Sequence, residues 1–337
     1  MPNVRCRCLR QREGPFCGIL NGVSITRTAR VAGALLGVHA GDALGATCEF
    51  SSAAEIRARY PDGLREIVGG GPFEWPAGHA TDDTDLTRAI LLAYLEPGDD
   101  LVRTAAEHML DWLDGRWPGR TPGDQPRNIG GATLAGLTAY QQSRDPRASG
   151  AGPGHAGNGS LMRCIPTALA VGERSRRLRE SIELSAITHD DPWCTSSCAA
   201  YNELAAALVR GEPAPEAVAA GLAAAVELGP AEVVESIEYG MQLPLAGAAA
   251  GGQLYLRADG AGLVLDSLTL AVAAVLDPRP LPDVLVDVVR LGHDTDSNAA
   301  IAGGLLGARD GVAAIPPAWR ATLQFADEFS AAASRLG

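Results

Sequence analysis

Residues 26–46 read TRTARVAGALLGVHAGDALGA. Gly33, Gly37, Gly41 and Gly45 recur every fourth residue in a run rich in alanine and leucine, so a helix here carries all four glycines on one face. Thr26 is placed to cap its first turn. Each interior glycine costs a helix about 1 kcal/mol relative to alanine. Four in register therefore require compensation, and the stripe predicts that a second backbone packs closely against this face or that a ligand reaches it.

Outward from this helix, the same style continues. Of 337 residues, 46% are hydrophobic, but only 5% are aromatic and β-branched residues rarely alternate, which favours packed helices over sheets. After the glycine- and proline-rich residues 68–78, Leu86, Ala89, Ile90, Ala93 and Tyr94 keep helical spacing behind Thr81. Helices are also expected from Leu161, from Pro192 toward Arg210, over 213–228 and 231–243, and over 297–306. Residues 116–125 and 141–158 read as long surface loops. No repeat of 20 to 50 residues is present. The expectation is an all-α fold, a single compact domain of many short helices over residues 25–337. The basic residues 1–24 are expected to form a poorly ordered leader.

Composition also excludes classes. A formal net charge of -12 argues against a broad phosphate-neutralising surface, so no bulk nucleic-acid binding is expected. The apolar stretch 263–276 is broken by Asp266, Ser267 and Thr269, and no run reaches the ~20 residues of a membrane span. The leader lacks the apolar segment of a secretory signal, so a cytoplasmic location is expected. Seven cysteines without metal-ligand spacing read as free thiols.

Two acidic clusters carry the chemistry: Thr81-Asp82-Asp83-Thr84-Asp85 and Asp294-Thr295-Asp296-Ser297, each opening a helix. Helix capping accounts for one aspartate per helix, not for several. Crowded carboxylates resist ionisation together, a penalty that a bound divalent cation removes. With only carboxylate and hydroxyl oxygens on offer, a hard ion is expected rather than zinc, and two such clusters suggest a dinuclear centre. Between them, Gly150 to Ser160 form a glycine-rich loop leading into a helix, which suits a diphosphate. Thr188-His189-Asp190-Asp191-Pro192 opens another helix, and His189 matters only in company.

Read in order, Gly41-Asp42-Ala43-Leu44-Gly45-Ala46 with Glu49, Thr81-Asp82-Asp83-Thr84, Gly157-Asn158-Gly159-Ser160-Leu161-Met162-Arg163, Thr188-His189 and Asp294-Thr295-Asp296-Ser297 resemble the ADP-ribosylglycohydrolase family. The resemblance spans about residues 27–311. It implies an all-α fold with two Mg²⁺ ions, Mn²⁺ being an alternative, at the bottom of a cleft. The ions would be held at Thr81, Asp82, Asp83, Asp294, Asp296 and Ser297, the last standing where many relatives have threonine. Gly157, Asn158, Gly159 and Ser160 would hold the diphosphate and nearby ribose, and His189 would contact the ligand. Glu49 would lie in a loop covering the cleft.

The implied reaction is hydrolysis of the bond linking ADP-ribose to a modified side chain or small conjugate, with arginine the first choice of linkage. Glu49, Asp83 and Asp296 are the catalytic candidates, Glu49 leading for acid/base work. Two other readings stay open: a catalytically inactive ADP-ribose-binding or crystallin-like member, and another two-metal hydrolase such as a phosphoesterase. Oligomeric state is not legible.

Overall fold

The computed structural model describes residues 25–258 and 261–337. The expected leader, with Cys6, Cys8 and Cys17, lies outside the described residues. Among the described residues the regular elements are sixteen α-helices and two short 3-10 turns, joined by isolated β-bridges only.

The first helix, α1 (Arg27–Gly45), is capped by Thr26, whose side chain accepts from the Ala29 N–H. Ser52 and Glu55 form a capping box for α2 (Ala53–Arg59). Thr81 caps α3 (Asp82–Leu95), and α4 (Leu101–Leu113) and α5 (Gly131–Ser143) follow. Next come α6 (Pro166–Ala170), α7 (Arg174–Ala186), α8 (Pro192–Val209), α9 (Ala214–Leu228) and α10 (Ala231–Gln242). The chain continues through α11 (Leu245–Ala249), α12 (Val264–Leu276), α13 (Leu281–Arg290), α14 (Thr295–Asp310), α15 (Pro317–Thr322) and α16 (Ala326–Leu336).

The helices α1, α8, α12 and α14 are buried along most of their length and form the centre. A helix apolar on all sides needs neighbours on all sides, and the remaining helices supply them. One main hydrophobic core runs from Val31 to Ala333. No described helix is long and apolar enough to cross a membrane. Cys48, Cys164, Cys194 and Cys198 are buried free thiols.

The glycine stripe is filled by backbone. A Cβ built on Gly33, Gly37, Gly41 or Gly45 would strike the backbone of Gly307, Gly303, Ala299 or Thr295 respectively. These pairings run in opposite directions along the chain, so α1 and α14 are antiparallel, with their backbones in direct contact.

One expected helix is corrected. Instead of a helix from Leu161, the structure has a 3-10 turn at Asn158–Ser160 and only the short α6 beyond it. Pro166 has no N–H to bond back to the preceding turn, so it serves as the first residue of α6 and not as a continuation from Leu161, although Ile165 before it keeps helical angles.

Candidate active site

The antiparallel seam places the carboxyl end of α1 against the amino end of α14, and α3 begins beside both. Thr295 Oγ1 donates to the Gly45 carbonyl at 2.7 Å, stitching the two ends. Asp42, on the last turn of α1, accepts from the backbone N–H groups of Thr81 and Thr84 at 3.1 and 3.2 Å and from the Thr84 hydroxyl. A carboxylate of α1 thereby satisfies free N–H groups at the start of α3, where the helix dipole also favours negative charge. Ser297 Oγ donates to Asp83 Oδ2 at 3.4 Å, and Thr81 Oγ1 donates to the same oxygen at 3.1 Å. Three helix ends thus meet through acidic oxygens.

These oxygens fit a divalent cation. One carboxylate oxygen from each of Asp42, Asp83 and Asp296 lies within 4.8 Å of the others. Asp42 Oδ1, Asp83 Oδ1, Asp296 Oδ1 and Glu49 Oε2 are buried and have no hydrogen-bond partner among the described residues. Buried polar atoms in native proteins are nearly always partnered, and four unpartnered acidic oxygens on these residues fit a cation as their common partner. The donor set is all oxygen, which suits Mg²⁺ or Mn²⁺ and not a thiolate- or imidazole-seeking ion.

The electrostatics agree. Burial, reinforced by the neighbouring carboxylates, raises Asp82, Asp83 and Asp296 well above the ordinary carboxylate range, and burial raises Asp294. Asp42 is pushed up to about 6 by burial against the bonds from Thr84 and Thr81. Glu49 is pushed up to about 7, first by burial and then by the charge of Asp294.

Above the cluster opens a cavity of about 510 Å³, within the size range of small-molecule sites. Glu49, Asp82, Asp294, Asp296 and Ser297 line its acidic end, and Gly157, Asn158, Gly159 and His189 line the other wall. Asn158 joins the two: its side-chain amide donates to Asp294 Oδ2 at 2.6 Å and to Ser267 Oγ at 3.0 Å. The backbone of Ala156 and Asn158 pairs with Val264 and Gly262, holding the glycine segment against α12.

The expected site residues do not all reach the cavity. Thr81 and Asp83 lie beneath its floor, within the cluster. Ser160 is buried away from the cleft, where its Oγ accepts from Ser185 Oγ at 2.9 Å. The helix dipole expected to face a diphosphate here is reduced to a single 3-10 turn. Glu49 sits in the turn after α1, with Oε1 accepting from Asn128 at 2.8 Å. Asp85 turns away from the centre and accepts from Trp112 Nε1, Trp117 Nε1 and Arg120.

Asp42 is not among the expected cation ligands, and its signal is present: it is the one acidic residue of the glycine-striped helix α1. Asn128, Phe50 and Thr133 also line the cavity, and no motif marks them. Phe50 and His293 also line the cavity, each bonded to the other's segment and each with positive φ, at 63° and 65°. Such strain in non-glycine residues collects at functional sites.

Fold and site together define an all-α hydrolase scaffold with an oxygen-only acidic centre beneath a glycine-walled cleft. The chain belongs to the ADP-ribosylglycohydrolase family, whose model matches residues 24–337, and it is a glycohydrolase. It is 30% identical over 292 residues to the ADP-ribosylarginine hydrolase Tri1 of Pseudomonas putida (strain GB-1), covering 86% of this chain and 73% of that protein. It is 28% identical over 296 residues to the ADP-ribosyl-(dinitrogen reductase) glycohydrolase of Rhodospirillum rubrum, covering 87% of this chain and 90% of that one. Among solved structures, one titled ADP-ribosylglycohydrolase-related protein complex superposes with a TM-score of 0.76 at 28% identity, over 92% of this chain and 97% of its own.

Proposed function

We propose that residues 25–337 form one catalytic unit that hydrolyses the glycosidic bond joining ADP-ribose to a modified protein side chain or small conjugate, with two Mg²⁺ ions, or Mn²⁺ in their place, as cofactors. The observation that carries this reading is the set of unpartnered acidic oxygens of Asp42, Asp83, Asp296 and Glu49 directly below a cleft walled by Gly157, Asn158, Gly159 and His189. Thr81, Asp82, Asp83, Asp294, Asp296 and Ser297 would hold the ions, with Asp42 added to that set. Divalent cations bound there would supply Lewis-acid polarisation of ligand oxygens.

The chain's own residues do the rest. Cleavage passes through an oxocarbenium-like state, so the departing group must be protonated and water oriented. Glu49 lines the cavity beside Asp294 and Asp296 and is the candidate to hold or move a proton there, with Asn128 anchoring its Oε1. Asp296 at the cavity wall, backed by Asp83 beneath the floor, would supply negative charge toward the developing cation. Gly157 and Gly159 let backbone approach the diphosphate, Asn158 ties that wall to Asp294, and Ser160 acts from beneath by holding the turn.

Arginine is the favoured linkage, a choice supported by the name of the Pseudomonas putida relative. The intact acidic cluster speaks against an inactive member. Buried free thiols fit a reducing compartment such as the cytoplasm. The test is ADP-ribose release from arginine-, serine- and O-acetyl-linked substrates, each with Mg²⁺ and with EDTA. Cation-dependent release from the arginine conjugate is expected; release of phosphate instead would replace the reading with a phosphoesterase, and ADP-ribose binding without turnover would replace it with a binding protein.

A further inference from the structure

Arg163 is fully buried, yet among the described residues no carboxylate pairs with it. Its NH1 donates to the Gly159 carbonyl at 2.9 Å and its NH2 to Thr188 Oγ1 at 2.7 Å. Thr188 is itself buried, and its hydroxyl lies 2.7 Å from His189 Nδ1. These are the hydroxyl's two partners among the described residues.

A guanidinium only donates, so Thr188 Oγ1 must accept from Arg163, and its own proton has one acceptor left, Nδ1 of His189. The opposite arrangement would leave a buried hydroxyl proton without an acceptor, at a cost of about 1–3 kcal/mol. With Nδ1 accepting, the neutral imidazole carries its proton on Nε2. Nε2 is the nitrogen on the cleft side, since a Cβ built on Gly157 or Gly159 would meet it at 3.5 or 3.1 Å.

We propose that Arg163 and Thr188 are positioning residues that lock His189 as its Nε2–H tautomer, making it a neutral hydrogen-bond donor to an ADP-ribose oxygen beside Gly157 and Gly159. The ligand half of this inference rests on the functional reading above. Burial, then the charge of Arg163, holds the His189 pKa down to about 3, so the donor stays uncharged throughout the neutral range. Arg163 also fixes the Gly159 carbonyl, so one buried cation sets both the wall of the cleft and the orientation of its donor.

The test is long-range ¹H–¹⁵N correlation NMR of ¹⁵N-histidine-labelled enzyme without ligand at pH 7, with His189 assigned from the missing signal of a His189→Gln variant. The expected spectrum shows Nδ1 unprotonated and Nε2 protonated; a protonated Nδ1 in the wild type would overturn the proposal without reference to any variant. Thr188→Val should give mixed tautomers and weaken ADP-ribose binding about fivefold by calorimetry, with Thr188→Ser restoring both. An unchanged tautomer and affinity in Thr188→Val would also overturn it. Wild-type enzyme with Nε2–H but no measurable ADP-ribose binding would support the tautomer, overturn its proposed ligand and defeat the functional reading itself.

Discussion

Gly37 and Gly303 face one another so closely that a Cβ built on either would come within 2.9 Å of the carbonyl carbon of the other. This contact keeps α1 and α14 in the register that sets Asp42 beside Asp296. Gly37→Ala and Gly303→Ala gain about 1 kcal/mol of helix propensity but must push two backbones apart, which costs about 1–3 kcal/mol or more in a packed core. Each is expected to lower stability in chemical denaturation and to weaken Mg²⁺ binding by calorimetry, although neither residue touches the cluster. Gly172→Ala, where nothing lies within 4 Å of an added Cβ, serves as the neutral control. Full Mg²⁺ affinity in both seam variants would show that register does not set the site.

Asp42 joins the start of α3 to the acidic centre. Asp42→Asn keeps an acceptor for Thr84 but removes charge from the cluster. Divalent-cation affinity should fall about 10- to 100-fold, the range seen when groups supporting a metal site are lost. Titration calorimetry with Mg²⁺ checks this, and a change of less than twofold would place Asp42 outside the centre.

The raised carboxyls make a linkage prediction. Each folded-state pKa lies above its unfolded value, so the folded protein binds more protons than the unfolded chain between the two. Stability from these groups is present below the unfolded value and is lost as pH rises through the folded one. For Asp42 and Glu49 that window runs from 3.8 or 4.5 up to about 6 or 7. In EDTA, the Tm of wild type relative to a Glu49→Gln/Asp42→Asn variant should therefore fall between about pH 4 and 7. Added Mg²⁺ should reverse the loss and release protons on binding, measurable as a buffer-dependent binding enthalpy. A flat difference across that window would contradict the buried cluster.

Asp85 anchors the loop that carries Asn128. Its carboxyl accepts from the two buried indoles and from the half-buried Arg120. Asp85→Ala leaves the Arg120 charge without its partner, a change that typically costs about 3–5 kcal/mol. Denaturation should record the loss, together with altered fluorescence of Trp112 and Trp117, and a loss under 1 kcal/mol would mean that the loop is held by other contacts.

Gly159 faces the cleft without room to spare. A Cβ there would meet His189 Cε1 at 2.9 Å and Thr133 Oγ1 at 3.0 Å. Gly159→Ala should weaken ADP-ribose binding at least tenfold while leaving Mg²⁺ affinity unchanged, because the added Cβ would meet His189 and Thr133 and no acidic residue. Equal loss of both would instead indicate a general disturbance of the fold.

Much of this protein is legible along the chain because the relevant physics is local. Helix periodicity, the caps at Thr26 and Thr81, and the prolines that open α8 and α13 depend on neighbours a few residues apart. The two acidic clusters announce a cation because like charges at short sequence spacing need one. Even the glycine stripe states its requirement, a bare face that must be covered. Tertiary structure alone decides what covers it. The partner is α14, some 260 residues away by number, and that antiparallel seam brings Asp42 into the cluster; other long-range contacts hold Ser160 against Ser185 and set Asn128 against Glu49. Those placements arise from contacts between distant segments, and no periodicity or motif within either segment encodes its partner. The same holds for His189: its ring and its neighbour Thr188 are visible in the sequence, but which nitrogen carries the proton depends on the buried Arg163 that folding brings against Thr188.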